Sequence, residues 1–373
     1  MTKEFTASLN MSNVTLEYVE WREFVNKGLL FTFFLSLLSI TGTLGNAVVF
    51  LTNLRCDKPS NYRTLIQCLA LVDFLSCAVG IPGYVLKARY QYTIESNTLC
   101  RVLTVFHFYV GITSLTILSF SAIERFRKTC RPFGSQFNRK EIKRVCVCLN
   151  IFGLLLSAPS AYAFNSEEVN LQNGSLIGRT CKLEKDRIFS RVYISVFIFC
   201  LIFCVLVDTV FYSLIGRKII SQNKRGPKTV SFRNRPVKTP EVSSDRDRKP
   251  DSSQRMSNVS LTSISQQQDH NNATKRNTSL KGKALYEKSV QISVMFLVCS
   301  LLSCASFVPL FVFRCMEIYD AKLRERTFEA LGPMAAILNR FHVINHVINP
   351  IVYCLLSSNF RDECLSLFKC RKK

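Results

Sequence analysis

Seven blocks of twenty or more mostly apolar residues dominate this 373-residue chain. They cover residues 29–53, 63–86, 102–126, 145–164, 192–216, 290–313 and 331–356. A helix of about 20 apolar residues crosses the roughly 30 Å hydrocarbon core of a bilayer. Apolar residue types make up 48% of the chain, and charged segments separate the blocks, which argues against a soluble protein with buried helices. The sequence therefore predicts an all-α bundle of seven membrane-spanning helices.

Positive charge is unevenly distributed along the chain. Residues 217–288 carry 17 Lys and Arg against 6 Asp and Glu, whereas residues 1–27 carry 3 against 4. Because short basic loops remain cytoplasmic, the N-terminus is predicted to be extracellular. The net charge of +23 then faces anionic membrane lipids, and no nucleic-acid partner is needed to explain it. The chain is predicted to be a multi-pass protein of the plasma membrane.

The blocks divide the chain into three parts. Residues 1–28 form an extracellular N-terminal segment, residues 29–356 the bundle, and residues 357–373 a cytoplasmic tail with a short amphipathic eighth helix. Residues 217–288 form a long third cytoplasmic loop, rich in Ser, Arg, Lys, Gln and Asn and without apolar periodicity. This composition predicts disorder.

Four residues outside the blocks are candidates for covalent modification. Asn10, Asn13 and Asn173 begin Asn-X-Ser/Thr triplets on the predicted extracellular side, so we expect glycosylation there. Cys370, between two basic residues after the amphipathic segment, resembles a palmitoylation site; a solvated free thiol is the alternative.

Two short motifs lie within the blocks. Residues 349–353 read Asn-Pro-Ile-Val-Tyr and interrupt the last block. Pro350 removes a helical hydrogen bond, which a membrane helix tolerates when neighbouring helices satisfy the freed groups. Residues 124–126 read Glu-Arg-Phe and end the third block. Together the motifs resemble the signatures of rhodopsin-like G-protein-coupled receptors, over nearly the whole chain and closer to the peptide-receptor branch.

The resemblance implies a signalling mechanism without catalysis. Binding of an extracellular ligand would move the fifth and sixth helices and open a cytoplasmic cleft around Arg125 for a heterotrimeric G protein. Kinases and arrestin would act on the third cytoplasmic loop, where serines lie beside basic residues. The implied activation residues are Glu124, Arg125, Phe126, Tyr212, Phe307, Pro309, Asn349, Pro350 and Tyr353. Phe126 replaces the usual Tyr of the family, Phe307 replaces its Trp, and the fifth helix lacks its proline.

The resemblance also implies a disulfide between Cys100, which opens the third helix, and Cys181, in the loop before the fifth. Such a bridge would hold that loop over the extracellular mouth and contribute about 4 kcal/mol through loop-closure entropy. Most of the other cysteines lie in the blocks or on the cytoplasmic side, where thiols stay reduced.

Asp73 is a carboxylate in the middle of the second block, where an unpaired charge costs about 2.5 to 3.5 kcal/mol. The resemblance assigns it a sodium ion or a proton, and it places four other polar side chains around the same site: Asn46, Ser114, Asn345 and Asn349. The alternative is a protonated Asp73 in a local hydrogen-bond network. No other metal or cofactor is expected.

His342 and His346 lie one helical turn apart in the last block. Three interpretations stay open: a zinc pair, which lacks a third ligand nearby in sequence; histidines satisfied in the core; and a proton-sensing role for His346.

The extracellular ends of the helices suggest the ligand class. His107 stands where amine receptors have Asp, and Val343 stands where opsins have the retinal lysine, so neither ligand is expected. Basic, aromatic and polar residues would surround the cavity instead: Tyr84, Lys87, His107, Tyr193, Phe311, Arg314, Asn339 and Arg340. They favour an acidic ligand. We expect a peptide, with a lipid or small acid as the alternative. The basic groups could also pair with nearby acids or reach lipid headgroups.

Absent family residues leave one further alternative, a receptor-like scaffold that does not signal. A membrane hydrolase and a transporter are disfavoured. The chain has few carboxylates deep in the blocks, and it shows no internal repeat.

Overall fold

The computed structural model describes residues 15–55, 60–94, 96–171, 176–184, 188–224 and 260–368. In chain order its elements are α1 Leu16–Glu23, α2 Leu29–Leu54, α3 Asn61–Leu75, α4 Ile81–Arg89, α5 Asn97–Cys130, α6 Arg139–Ser157, α7 Ser160–Ala163, β1 Phe164–Leu171, β2 Leu176–Leu183, α8 Ile188–Lys224, α9 Ser260–Tyr319, α10 Ala321–Leu331, α11 Pro333–Asn339, α12 Ile344–Leu356 and α13 Ser358–Phe368. Single π-helical turns join α1 to α2 and α3 to α4, so each pair runs as one helix.

Six helical stretches in the described residues are long and apolar enough to cross a membrane. They are Leu16–Leu54, Asn61–Arg89, Asn97–Cys130, Arg139–Ala163, Ile188–Ser221 and Tyr286–Glu317, and a shorter apolar stretch follows at Phe341–Leu356. The distribution of their side chains suits a lipid environment. Phe33 is 70% exposed on the outside of the helices, whereas Asp73 is completely buried. Polar side chains such as Asp73 therefore lie inside the bundle, and large apolar side chains such as Phe33 cover its outer surface.

The chain groups into two units, residues 1–215 with 291–373, and residues 216–290. The second unit contains the predicted disordered loop, and the structure differs from that prediction at both ends of it. Helix α8 continues to Lys224 and α9 begins at Ser260. The sequence from 260 to 281 contains neither proline nor glycine, so nothing in it interrupts a helix. Residues 225–259 lie outside the described residues.

The last block is not one continuous helix. Gly332 adopts a φ of +52°, which ends α10 and places Pro333 at the start of α11. A 3-10 turn at Phe341–Val343 then leads into α12. Glycine takes positive φ at little cost, and proline is favoured at the first helical position, so the local sequence accounts for the break.

Two features outside the long helices were not predicted. The N-terminal segment contains α1, and the loop before α8 forms an antiparallel hairpin of β1 and β2, in register from Phe164↔Leu183 to Leu171↔Leu176. Both occur outside the apolar blocks, where helix-length apolar patterns give no information. The hairpin adds a small sheet to the helical fold.

Helix α2 packs closely against its neighbours because two glycines lie in the contact. A Cβ atom added at Gly42 would lie 2.4 Å from the Cys77 sulfur, and one added at Gly45 would lie 3.0 Å from Cβ of Pro350. Larger residues would push α2 away from α3 and α12. This approach brings Asn46 into the polar core described below.

Helix α1 is held by a carboxylate that accepts several hydrogen bonds. Glu20 is buried and accepts from the backbone N–H groups of Tyr92 at 2.7 Å and Thr93 at 3.1 Å, and Arg89 forms an ion pair with it at 3.7 Å. Burial and a hydrogen bond to Glu23 raise the pKa of the Tyr92 phenol. These contacts join the N-terminal helix to the loop after α4.

Replacing Glu20 should destabilise the extracellular face. We expect Glu20→Gln to lower the free energy of unfolding by about 1.5 kcal/mol, because the charged acceptor and its ion pair are lost. This corresponds to a fall in Tm of about 4 °C, measured on the purified full chain in detergent. Glu17→Gln, at an exposed position of the same helix, is the control. Equal Tm values for the two variants would contradict the prediction.

Candidate functional site

A disulfide joins Cys100 at the start of α5 to Cys181 on β2, with a Cα–Cα distance of 5.6 Å. It attaches the hairpin to the helix bundle. The bonded Cys100 packs in a buried cluster that includes Phe164 on β1 and Tyr193 on α8. The hairpin therefore covers part of the extracellular side of the helices.

A cavity opens beside this hairpin. Five helical segments contribute to its wall. The described lining residues are Tyr84, His107, Phe108, Gly111, Ile194, Phe197, Ile198, Leu201, Phe307, Leu310, Phe311, Arg314, Arg340 and His342. Of the residues predicted to bind a ligand, Tyr84, His107, Phe311 and Arg314 belong to this wall, whereas Lys87, Tyr193 and Asn339 do not.

The basic groups near the cavity differ in their partners. Lys87 donates to the hydroxyl of Thr104 at 3.2 Å and to the Cys181 sulfur at 3.6 Å, so it supports the disulfide from the side of α4. Arg314 is paired with Glu317. Arg340 forms no ion pair within the described part of the chain; its guanidinium lies 4.6 Å from the ring centroid of Tyr84. Lys87 and Arg340 therefore both lack an acidic partner among the described residues, and of these two cations Arg340 lies in the cavity wall.

His107 uses its polar edge within the protein. Its Nε2 donates to the carbonyl oxygen of Gly80 at 2.8 Å, where the π-helical turn ends, and its ring stacks on Tyr84 with centroids 3.6 Å apart. We expected His107 to contribute positive charge to the cavity. In the structure its polar edge binds the Gly80 carbonyl and its ring face packs on Tyr84. Tyr84 also approaches His342, whose Nε2 lies 3.4 Å from the tyrosine hydroxyl.

The floor of the cavity is apolar and was not predicted. Phe108 on α5 and Phe197 on α8 meet with ring centroids 4.6 Å apart. Ile112, Leu201 and Phe307 extend this cluster below them. Spacings of four residues, 108 to 112 and 197 to 201, place these side chains on single helix faces. That periodicity was visible in the sequence, but within a membrane helix it does not distinguish a ligand pocket from ordinary packing.

A polar core lies deeper in the bundle, around Asp73. Its Oδ1 accepts from the Ser114 hydroxyl at 3.1 Å, and its Oδ2 accepts from Nδ2 of Asn349 at 2.7 Å. Asn345 donates to Ser114 at 3.1 Å. Asn46 donates to the carbonyl of His346 at 2.8 Å. The structure thus brings together all five residues expected around this site, and all are buried.

His346 is a further hydrogen-bond partner of Asp73, which the sequence did not place at this site. Its Nδ1 lies 2.7 Å from Asp73 Oδ1, and both side chains are buried. Among the described residues no cluster of three or more His, Cys, Asp or Glu is placed to hold a metal ion. Of the three interpretations of this histidine, the geometry therefore favours a core hydrogen-bond partner over a zinc ligand.

At the end of α5 opposite the disulfide, Arg125 and Glu124 are each only 1% exposed. The guanidinium Nε donates to Glu124 Oε2 at 2.5 Å, and Lys128 approaches the other carboxylate oxygen at 3.4 Å. Adjacent residues on a helix do not face each other, so the long Arg side chain makes this pairing possible. The arginine is held and is not free to bind another molecule.

The remaining predicted activation residues surround this pair or lie above it. Phe126 packs on Phe211 with centroids 5.3 Å apart. Tyr212 and Tyr353 are buried, and the Tyr353 hydroxyl has no hydrogen-bond partner in the described residues. Pro309 and Pro350 lie inside α9 and α12.

The amphipathic helix predicted after the bundle is α13. Glu363 on this helix accepts from Arg63 of α3 at 2.8 Å, and Thr52 of α2 lies 3.5 Å from the Cys364 sulfur. These contacts hold α13 against the cytoplasmic ends of two helices. The predicted palmitoylation residue Cys370 and the glycosylation residues Asn10, Asn13 and Asn173 lie outside the described residues.

Three features follow one another along the membrane-spanning helices: the cavity beside the hairpin, the buried core around Asp73 and the paired Arg125. This arrangement is typical of a helical membrane receptor. The family model of the 7 transmembrane receptors (rhodopsin family) matches residues 45–353. The chain belongs to this family, which confirms the resemblance and the seven-helix membrane fold; the stretch that ends in α12 supplies the seventh helix.

Curated relatives include receptors of several types. Cholecystokinin receptor type A of Cavia porcellus is 21% identical over 351 residues, covering 90% of this chain and 79% of the relative. Neuropeptide Y receptor type 4 of Mus musculus is 32% identical over 100 residues, covering 26% of this chain and 27% of the relative. Short-wave-sensitive opsin 1 of Mus musculus is 26% identical over 136 residues, 35% of this chain and 39% of the relative. The chain thus spans less than half the length of the last two.

Breaking the disulfide should release the hairpin. We expect Cys181→Ser to lose about 4 kcal/mol of stability, because a closure over 81 residues is removed, and to reach the cell surface poorly. Surface biotinylation and the Tm of the purified chain are the measurements. Cys315→Ser changes a cysteine that is free in the structure and should behave like wild type. Wild-type surface levels of Cys181→Ser would disprove this role.

Proposed function

We propose that this chain is a plasma-membrane receptor that binds an extracellular peptide through an acidic group and activates a heterotrimeric G protein. The observation that carries the proposal is Arg340 in the cavity wall, without an ion pair among the described residues. A partly buried cation of this kind favours an anionic partner. The peptide class is supported by two relatives whose names refer to peptide ligands, the cholecystokinin and neuropeptide Y receptors.

The orientation follows from charge and from the disulfide. The segments 125–144 and 217–288 are strongly basic, which favours the cytoplasm. The Cys100–Cys181 bridge lies at the other end of the helices, and disulfides persist in oxidising extracellular surroundings. The N-terminus and the cavity therefore face outward. Kinases and arrestin are assigned to the third cytoplasmic loop, on the serines noted in the sequence.

Signalling requires the cytoplasmic end of α5 to change. In the state described here Arg125 is bound to Glu124 and buried, so a G protein cannot use its guanidinium. A ligand that draws the helices together around the cavity would favour a second arrangement in which the arginine is released. The buried hydroxyls of Tyr212 and Tyr353 are the groups we assign to receive it.

Neutralising Glu124 should favour the released state. Loss of a hydrogen bond to a charged group, about 1.5 kcal/mol, shifts an equilibrium about tenfold, so Glu124→Gln should raise basal signalling several-fold. Arg125→Ala should abolish it at equal surface expression. Second-messenger output and G-protein dissociation are the measurements. Asp362→Asn is the control, because it neutralises an exposed acid of α13. A well-expressed receptor whose signalling ignores both Arg125→Ala and Glu124→Gln would instead be a scaffold.

The acidic contact can be tested with a peptide panel that includes cholecystokinin and neuropeptide Y. Each active peptide is compared with a copy whose acidic group is amidated. We expect the amide to be about 30-fold weaker on wild type, because a buried charge pair at an interface is lost, and Arg340→Gln to respond equally to both forms. Lys322→Gln, which removes an exposed extracellular charge, should retain the preference for the acid. An unchanged preference in Arg340→Gln would assign the acid to another group.

A further inference from the structure

The surroundings of Asp73 do not fit the sodium ion that the family resemblance implies. Oδ1 is in contact with both the Ser114 hydroxyl, at 3.1 Å, and Nδ1 of His346, at 2.7 Å. A carboxylate oxygen accepts about two hydrogen bonds, so Oδ1 is already satisfied. Whichever of Asp73 and His346 carries the proton, a 2.7 Å contact leaves no space for an ion between the two atoms.

Several contacts fix the segment of α12 that carries His346. The side chain is buried, and its own backbone carbonyl accepts from Nδ2 of Asn46 at 2.8 Å and lies 3.8 Å from the Cys77 sulfur. The close approach of α2 at Gly42, which touches Cys77 and Val347, prevents this part of α12 from moving outward. The backbone that carries the ring is thus fixed by α2, and the ring itself is bound to Asp73.

Oxygen ligands for a cation are nevertheless present around the ring. The side-chain oxygens of Asn46, Asn345 and Asn349 are buried and have no hydrogen-bond partner in the described residues. Carboxylate, hydroxyl and amide oxygens are the ligands that hard cations prefer. With Asp73 and Ser114 they form a donor set in which the imidazole occupies the position next to the carboxylate.

We infer that His346 is a built-in substitute for the sodium ion, so that sodium does not stabilise this receptor, and that removing the imidazole creates a sodium site. The inference concerns the core alone and depends on neither the ligand nor the G protein proposed above. The same contact gives the buried carboxyl group of Asp73 a hydrogen-bond partner within the protein.

The test is thermal unfolding of the purified full chain in sodium chloride and in choline chloride at equal ionic strength. Wild type should have the same Tm in both salts. His346→Ser should be less stable in choline and regain about 3 °C as sodium is added, with saturation, because an ion that binds only the folded state stabilises it. His342→Ser, which removes a histidine one turn away, should show no sodium effect. Broadening of the sodium-23 NMR line by His346→Ser alone is a second readout.

A saturable sodium stabilisation of the wild-type chain would overturn the inference, and this measurement needs no variant. A folded His346→Ser protein that does not respond to sodium would also overturn it, because the remaining oxygens would then not form a site. If the serine variant does not fold, His346→Ala opens the same space and is judged by the same two outcomes.

Discussion

Asp73 is completely buried inside the bundle, so its carboxyl group needs hydrogen-bond partners from the protein. This need determines how the central helices meet. The hydrogen-bond partners come from two other helices, Ser114 on α5 and His346 with Asn349 on α12. Asn46 of α2 binds the backbone of the same α12 segment. A buried charge without partners costs several kcal/mol, so these four helices must come together at one depth. The close approach of α2 at its glycines makes that possible.

Helix α5 connects the three functional levels of the molecule. Cys100 at its start holds the hairpin, His107 supports the cavity wall, Ser114 joins the polar core, and Arg125 at its far end forms the buried pair. Helix α12 and the turn before it connect the upper two levels, because His342 lines the cavity and His346, one turn later, meets Asp73. A shift of either helix would act on more than one level, since packed helices move as rigid bodies.

The candidate site was predictable where a residue's role follows from its own type and depth. Asp73 in an apolar block required polar neighbours, and the family resemblance placed Asn46, Ser114, Asn345 and Asn349 beside it. Lys87 and His107 were less predictable: both are basic residues near the cavity, yet one supports the disulfide and the other binds the Gly80 carbonyl. Their internal acceptors lie on other elements, and spacing along one helix cannot reveal them.

The sequence alone determined the membrane-spanning character and the family, because block length and two short motifs are local properties of the chain. Only the tertiary structure decided which polar and charged side chains pair with each other. The contact between Asp73 and His346 joins residues 273 positions apart, and the ion pair between Arg63 and Glu363 joins residues 300 positions apart. Such pairs form only when helices pack, since packing both removes water from the polar groups and brings their partners within hydrogen-bond distance.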